Sequence, residues 1–333
     1  MTQEHLFAQY IRILGKGRNG SRALSPEEMS DAMRLIMSNE VEPIQLGAFL
    51  MLMRVKEETP DEVAAAVRAI RQHLAVPADA PSVDLDWSSY AGKKRQLPWY
   101  LLSTLLLAEN GIRVFMHGAS GHTAGRIYTK GVLPALGIPV ARNFAEASEQ
   151  LKANNFAYLD LEQMSPRLHQ IIELRPLLGL RSPVHTIARM LNPFNAPYMM
   201  QGIFHPGYRP THQIAAQILG QQHMVVIKGE GGEIERNPDL ACLLQGVHNG
   251  ELFEEEWPPM FEKRHIRQDE LVVGHLADVW SGTRDDEYGV GSIIGTAAVA
   301  LYLMGRAKTR EEAETQARDL WNKRNRARFN KAA

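Results

Sequence analysis

The sequence is poor in cysteine: Cys242 is the only one among 333 residues. One thiol excludes an intrachain disulfide framework and leaves a zinc–thiolate centre without ligands. There is no excess of charge of either sign: Lys plus Arg number 37, Asp plus Glu 38, and the formal net charge is −1. No global field therefore draws the protein to nucleic acid or to a membrane, and any basic surface must be local. Long hydrophobic runs are also missing: none reaches the ~18 residues that span a bilayer. The opening "MTQEHLFAQYIRILGKG" mixes acid and base and lacks the basic and apolar regions of a signal peptide. Those absences lead us to expect a cytoplasmic protein with an inert, buried thiol. Familiar catalytic signatures are absent too: no G-x-S-x-G, no H-E-x-x-H and no complete Walker A loop. No catalytic nucleophile–base set is assigned.

What is present is ordinary globular composition, 44% hydrophobic and 23% charged, at a length that supports one large domain or two ordinary ones. The first ~75 residues read as helices alone. "SPEEMSDAMRLIM" opens on a capping box with Ser25 at N-cap, Pro26 at N1 and Glu28 at N3, and "TPDEVAAAVRAI" repeats it with Thr59, Pro60 and Glu62. "AVPADAPSVDLDW" is a Pro/Ala/Asp break and reads as a linker. Beyond it, apolar strands ("IRVFMHG", "NFAYLDL", "HMVVIKG") alternate with helices, the pattern of an α/β domain with a mainly parallel sheet. The expected division is a small all-helical domain, residues 1–76, to which 177–196 return, and an α/β domain of residues 77–176 and 197–333.

Three turns fall where the strands of such a sheet end, the usual place for a ligand. In "YAGKKRQ" a single glycine, Gly92, precedes Lys93, Lys94 and Arg95, just before the apolar helix "LPWYLLSTLLLAENG". Cations at a helix N-terminus are unfavourable unless an anion sits over them. Long side chains there suit phosphates spread along a chain better than one enclosed pyrophosphate. A solvated basic turn is the plainer alternative. "MHGASGHTAGR" holds His117, Gly118, His122 and Arg126, with no third neighbouring ligand for zinc. "KGEGGEIERNP" carries Glu230, Glu233 and Glu235; the last two share a face in an extended segment, as magnesium with a phosphate substrate would want. A surface turn is again the plainer reading. Finally, the stretch from Leu320 contains Lys323, Arg324, Arg326, Arg328 and Lys331 without an acid, interleaved with Trp321 and Phe329. Such a pattern fits phosphate contact with base stacking, or equally a helix C-terminus that complements its dipole.

The order of these motifs resembles the anthranilate phosphoribosyltransferase family, a fold shared with nucleoside phosphorylases: "VFMHGASG…GVLPALGI", "LGLRS…LNP", "QGIF" and "MVVIKGEGGEIE" run through nearly the whole chain. The resemblance implies a phosphoribosyl-pyrophosphate loop of G-T-G-G-D type, a K-H-G-N-R segment and an Asp-Glu pair for magnesium. Here "YAGKKRQ" lacks most of the glycines and the acid. His117 and Gly118 match the second motif, and Met116, Ala119 and Ser120 do not. Glu235 matches the metal pair, while Ile234 replaces its aspartate. Arg181 matches the family arginine near the anthranilate site, and His185 stands in place of an asparagine. "SYAGKKRQ", "GLRSPVHTIARMLNPF", "FHPGY" and "GEGGEIERNP" are similar to the YbiB branch of the family. That likeness implies a homodimer, joined through the helical domain, that binds nucleic acid without sequence preference. The expectation is therefore a single-stranded DNA or RNA track along Lys93, Lys94, Arg95, Arg126, Arg181, Arg189, Lys323, Arg324, Arg326 and Arg328, with no cofactor and no metal. The alternative is a surviving phosphoribosyltransferase using magnesium and phosphoribosyl pyrophosphate at Gly92, His117, Gly118, Arg181 and Glu235.

Overall fold

The computed structural model describes residues 4–121, 123–266 and 270–329. His122 and Lys331 lie outside them. The chain begins with α1 (Ala8–Gly15), α2 (Pro26–Met37), α3 (Pro43–Lys56) and α4 (Pro60–Arg71). Both capping boxes form: Ser25 accepts from the N–H of Glu28 and Thr59 from that of Glu62, and each glutamate returns a bond to its cap. These local bonds satisfy amide groups that a helix start leaves bare, which is why the starts are readable in the sequence.

The α/β portion is built on seven strands: β1 (Leu85–Ser89), β2 (Val114–Gly118), β3 (Phe156–Asp160), β4 (Tyr198–Ile203), β5 (His223–Lys228), β6 (Cys242–His248) and β7 (Glu251–Trp257). Their order is β3-β2-β1-β4-β5-β6-β7. β1 to β5 are parallel, and β6 and β7 add as an antiparallel pair. The expected architecture is what forms, a helical domain beside a larger, mostly parallel α/β domain. The linker reading of "AVPADAPSVDLDW" is corrected: its last residues enter β1, a wholly buried strand at the centre of the sheet. A buried strand tolerates Asp86 because Oδ2 meets His117 Nε2 on β2 at 3.3 Å.

One face of the sheet is covered by α5 (Tyr100–Glu109) and by the helix Glu287–Leu303, apolar on every side because they are buried on every side. The other face shares a continuous core with the helical unit. Ile171, Pro183, Val184 and Ile187 line one small apolar cavity with Met29, Phe49 and Met53, and Arg167 bonds Ile36 O, so this stretch lies against the helical unit. Among the described residues no helix is long and apolar enough to cross a membrane.

Candidate anion-binding cleft

The parallel strands bring five loops to one edge, following Ser89, Gly118, Asp160, Ile203 and Lys228. Gly118 ends β2 beside β1 so tightly that a Cβ would stand 1.8 Å from Ser89 O. Gly92 turns the chain after β1 with φ +67°, a left-handed value that favours glycine.

The turn after β1 does face anions, and they belong to the chain itself. Ala91 and Gly92 donate their backbone N–H groups to Glu233 Oε1 at 2.7 and 2.6 Å. Lys94 and Arg95 donate theirs to Glu230 Oε1 at 3.0 and 2.6 Å. The N-terminus of α5 is met by Glu235, whose Oε2 accepts from Tyr100 N at 2.9 Å. Lys93 lies 1% exposed and bonds Glu235, with Glu230 at 3.2 Å. Burial works against its charge, but the two carboxylates outweigh that and hold its pKa above the ordinary value. Lys93 is therefore corrected from a surface phosphate contact to a buried counter-ion. The side chains of Lys94 and Arg95 remain exposed.

The same bonds occupy the carboxylates nearest a magnesium site. Glu230 and Glu235 are committed to protein N–H groups and to Lys93, Glu233 is engaged through Oε1, Ile234 has no ligand atom, and the described residues contain no group of three metal-ligating side chains. This donor set does not fit a magnesium–pyrophosphate pair. His117 is wholly buried between Tyr90 OH, 2.8 Å from Nδ1, and Asp86. It braces β1 against β2 and reaches no surface.

Beside this closed turn is an open, cationic cleft between the helical unit and the sheet edge. A cavity of about 120 Å³ is lined by Arg54, Arg181, Arg189, Phe204, Tyr208 and neighbours. Arg189 is buried and bonds His185 O, with its guanidinium 5.8 Å from the centre of the Tyr90 ring. Arg126 crosses to Ala91 O at 2.7 Å, tying the cleft wall to the turn. Arg54 bonds Tyr208 OH, and Arg175 bonds Thr123 Oγ1. Among the described residues, Arg54, Arg126, Arg181 and Arg189 form no ion pair. Burial, joined by repulsion from Arg189, Arg126 and Arg175, pushes the Arg181 guanidinium down to about 10. Cations crowded in a partly desolvated cleft, with Glu233 offsetting Arg189 and Glu58 offsetting Arg54 only in part, make this a candidate anion site. The structure thus brings Arg126, Arg181 and Arg189 together, as the sequence reading groups them, and adds Arg54, Arg175 and Tyr208. In the sequence Arg54 is only a last-turn cation that complements the dipole of α3.

The basic tail does not continue this track. Arg324 is 8% exposed; it bonds the carbonyls of Trp280, Trp321 and Val279 and lies 3.6 Å over the Trp321 ring. Arg328 pairs with Glu109 at 2.7 Å, at the far end of α5 from Tyr100. Ten residues of helix separate the tail from the cleft by ~15 Å. Arg324 is corrected to a structural residue that closes a carbonyl-rich corner; Arg328 is partly exposed beside Glu109, and Lys323 and Arg326 stay exposed there.

This fold and edge-loop site define a known class. Residues 8–74 match the helical bundle domain of a glycosyl transferase family and residues 100–323 its a/b domain; the chain belongs to that family. An anthranilate phosphoribosyltransferase of Burkholderia cenocepacia is 27% identical over 86% of this chain and 86% of its own. The anthranilate phosphoribosyltransferase of Thermus thermophilus superposes with TM-score 0.76 at 20% identity, covering 96% of this chain and 94% of its own. The Saccharomyces cerevisiae enzyme, solved with phosphoribosyl pyrophosphate and magnesium, gives 0.75 at 17%, with the same coverages.

Proposed function

We propose that this protein binds single-stranded nucleic acid without sequence preference, through the arginine cleft, and has given up phosphoribosyl transfer. The observation that carries this reading is the pairing of a closed pyrophosphate turn with an open cationic cleft. The five backbone N–H groups that an anionic substrate would need are held by Glu230, Glu233 and Glu235. A substrate pyrophosphate would have to displace those carboxylates and would meet their charge. Arg54, Arg181 and Arg189, by contrast, line an open cavity, Arg126 is close enough to repel Arg181, and Lys94 and Arg95 are exposed on the turn that Arg126 contacts. Each phosphate that meets one of them releases condensed counterions, so a chain of net charge −1 can still bind a polyanion. A homodimer through the helical unit, whose surface exposes Leu6 and Ile44, would present two clefts to one strand. In this reading the protein works in the cytoplasm.

The test sets two assays side by side. A labelled single-stranded oligonucleotide should bind, with affinity that falls steeply as salt rises. Phosphoribosyl pyrophosphate, magnesium and anthranilate should release no pyrophosphate. Pyrophosphate release without oligonucleotide binding would favour the transferase and overturn the proposal.

A further inference from the structure

We propose that residues 258–266 form a strap that is latched by His265 and loosens as pH rises; the inference stands apart from the nucleic-acid reading above. The strap leaves the end of β7 and crosses the helix Glu287–Leu303. Its seat is made of glycine. A Cβ on Gly291 would stand 2.6 Å from the Phe261 ring, and one on Gly295 2.8 Å from Met260 Sδ. Met260 donates its N–H to Pro238 O at 2.7 Å, and Pro258 O accepts from Arg236 at 2.8 Å. His265 closes the far end. Its backbone N–H and ring Nδ1 meet the two oxygens of Asp239 at 2.9 and 2.7 Å, and Nε2 meets Glu287 Oε2 at 3.2 Å. One imidazole thus ties the strap both to the segment before β6 and to the start of the helix.

The chemistry of that contact fixes the protonation state. Ionised carboxylates only accept, and a neutral imidazole carries one N–H. A carboxylate on each ring nitrogen therefore requires the imidazolium. Burial works against that charge, but the hydrogen bonds to Asp239 and Glu287, and their charge, outweigh it and hold the pKa above the ordinary 6.5. The surroundings offer no substitute for the proton. Arg284, Asp285 and Asp286 line the same cavity with Gln96, Phe261 and Tyr288 meet the ring edge-on, and Glu262, Lys263 and Arg264 precede it. A raised histidine pKa supports the closed strap fully below pH 6.5, and that support is lost as pH rises through the folded-state value. The neutral ring keeps its proton toward Asp239, the shorter and more buried contact, and turns a lone pair on Glu287. The latch therefore fails first at the helix. Opening bares Tyr288 and the glycine seat beside Gln96, the residue after Arg95.

Limited digestion of the full chain with a lysine-specific endoproteinase tests this, because Lys263 is an exposed cleavage point within the strap and cutting reads the open fraction. Rates at about pH 6.5 and about pH 8.5 bracket the transition. Each is divided by the rate for a short peptide of that protein's own sequence, which removes the protease's own pH dependence. The parent should be cut after Lys263 about threefold faster at the higher pH. His265→Gln, which has no proton to lose, should be cut at one relative rate at both. Glu287→Gln, at a position 73% exposed, should also bring the ratio close to one, and it decides the matter should His265→Gln not fold. A parent ratio of one, or a ratio that survives in either folded variant, overturns the latch.

Discussion

Gly92 donates its backbone N–H to Glu233 Oε1 at 2.6 Å across 141 residues of sequence. Ala91 shares that same oxygen, and the second carboxylate oxygen, Oε2, is buried without a partner. Glu233 therefore occupies both of these N–H donors. Glu233→Ala should free both N–H groups, cost about 1–3 kcal/mol of stability, and create a pyrophosphate site that the parent lacks. Added pyrophosphate should raise the melting temperature of the variant and leave that of the parent unchanged. An equal response from both would mean the carboxylate does not block the turn.

The adjacent cations divide by burial. Lys93→Met breaks a buried ion pair and leaves Glu235 uncompensated, so it should cost about 3–5 kcal/mol in denaturant unfolding. Lys94→Ala with Arg95→Ala removes only exposed side chains. That pair should leave stability within about 0.5 kcal/mol and lower the salt slope for single strands by about 1.4. A salt slope unmoved by the double variant would place the strand elsewhere.

Arg324 caps three carbonyls and covers Trp321. Arg324→Ala should destabilise by about 2–3 kcal/mol and leave oligonucleotide affinity of the folded protein unchanged. Loss of affinity at unchanged stability would return the tail to the binding surface.

His212 is buried in the cleft wall, with Nδ1 2.6 Å from Gln201 Oε1. Burial, joined by Arg189, pushes its pKa from 6.5 down to about 3. A depressed histidine favours the folded state above its unfolded value, so its contribution is complete above pH 6.5 and drains away as pH falls toward 3. Thermal melts should show the parent losing several degrees between pH 7 and pH 5, and His212→Gln losing less over the same interval. Parallel curves would contradict the assignment.

How far the sequence carries depends on how local each feature is. The caps at Ser25 and Thr59 are contacts three residues long and are legible at once. The alternation of helices and buried strands yields the sheet, but β1 hides behind a run of proline, alanine and aspartate, because Asp86 only makes sense beside His117. The turn at residues 90–96 does demand an anion, as its cations imply. Which anion is invisible in the sequence, because Glu230, Glu233 and Glu235 arrive from more than 130 residues away. Arg324 misleads for a related reason: a charge run shows where cations are, and only packing shows that three carbonyls and an indole ring turn one of them inward. Arg126, Arg181 and Arg189 are grouped by motif likeness; the role of His265 leaves no trace, since Asp239 and Glu287 reach it from separate elements.

The most direct test of the cleft is the salt dependence of single-strand binding, measured for the parent and for Arg181→Ala by anisotropy. With log affinity plotted against log salt, the parent should give a straight, steep line. Arg181→Ala should bind more weakly at every salt, with a slope shallower by about 0.7, one phosphate contact fewer. A parent that does not bind at low salt, or an Arg181→Ala line that overlies the parent's, would contradict the account.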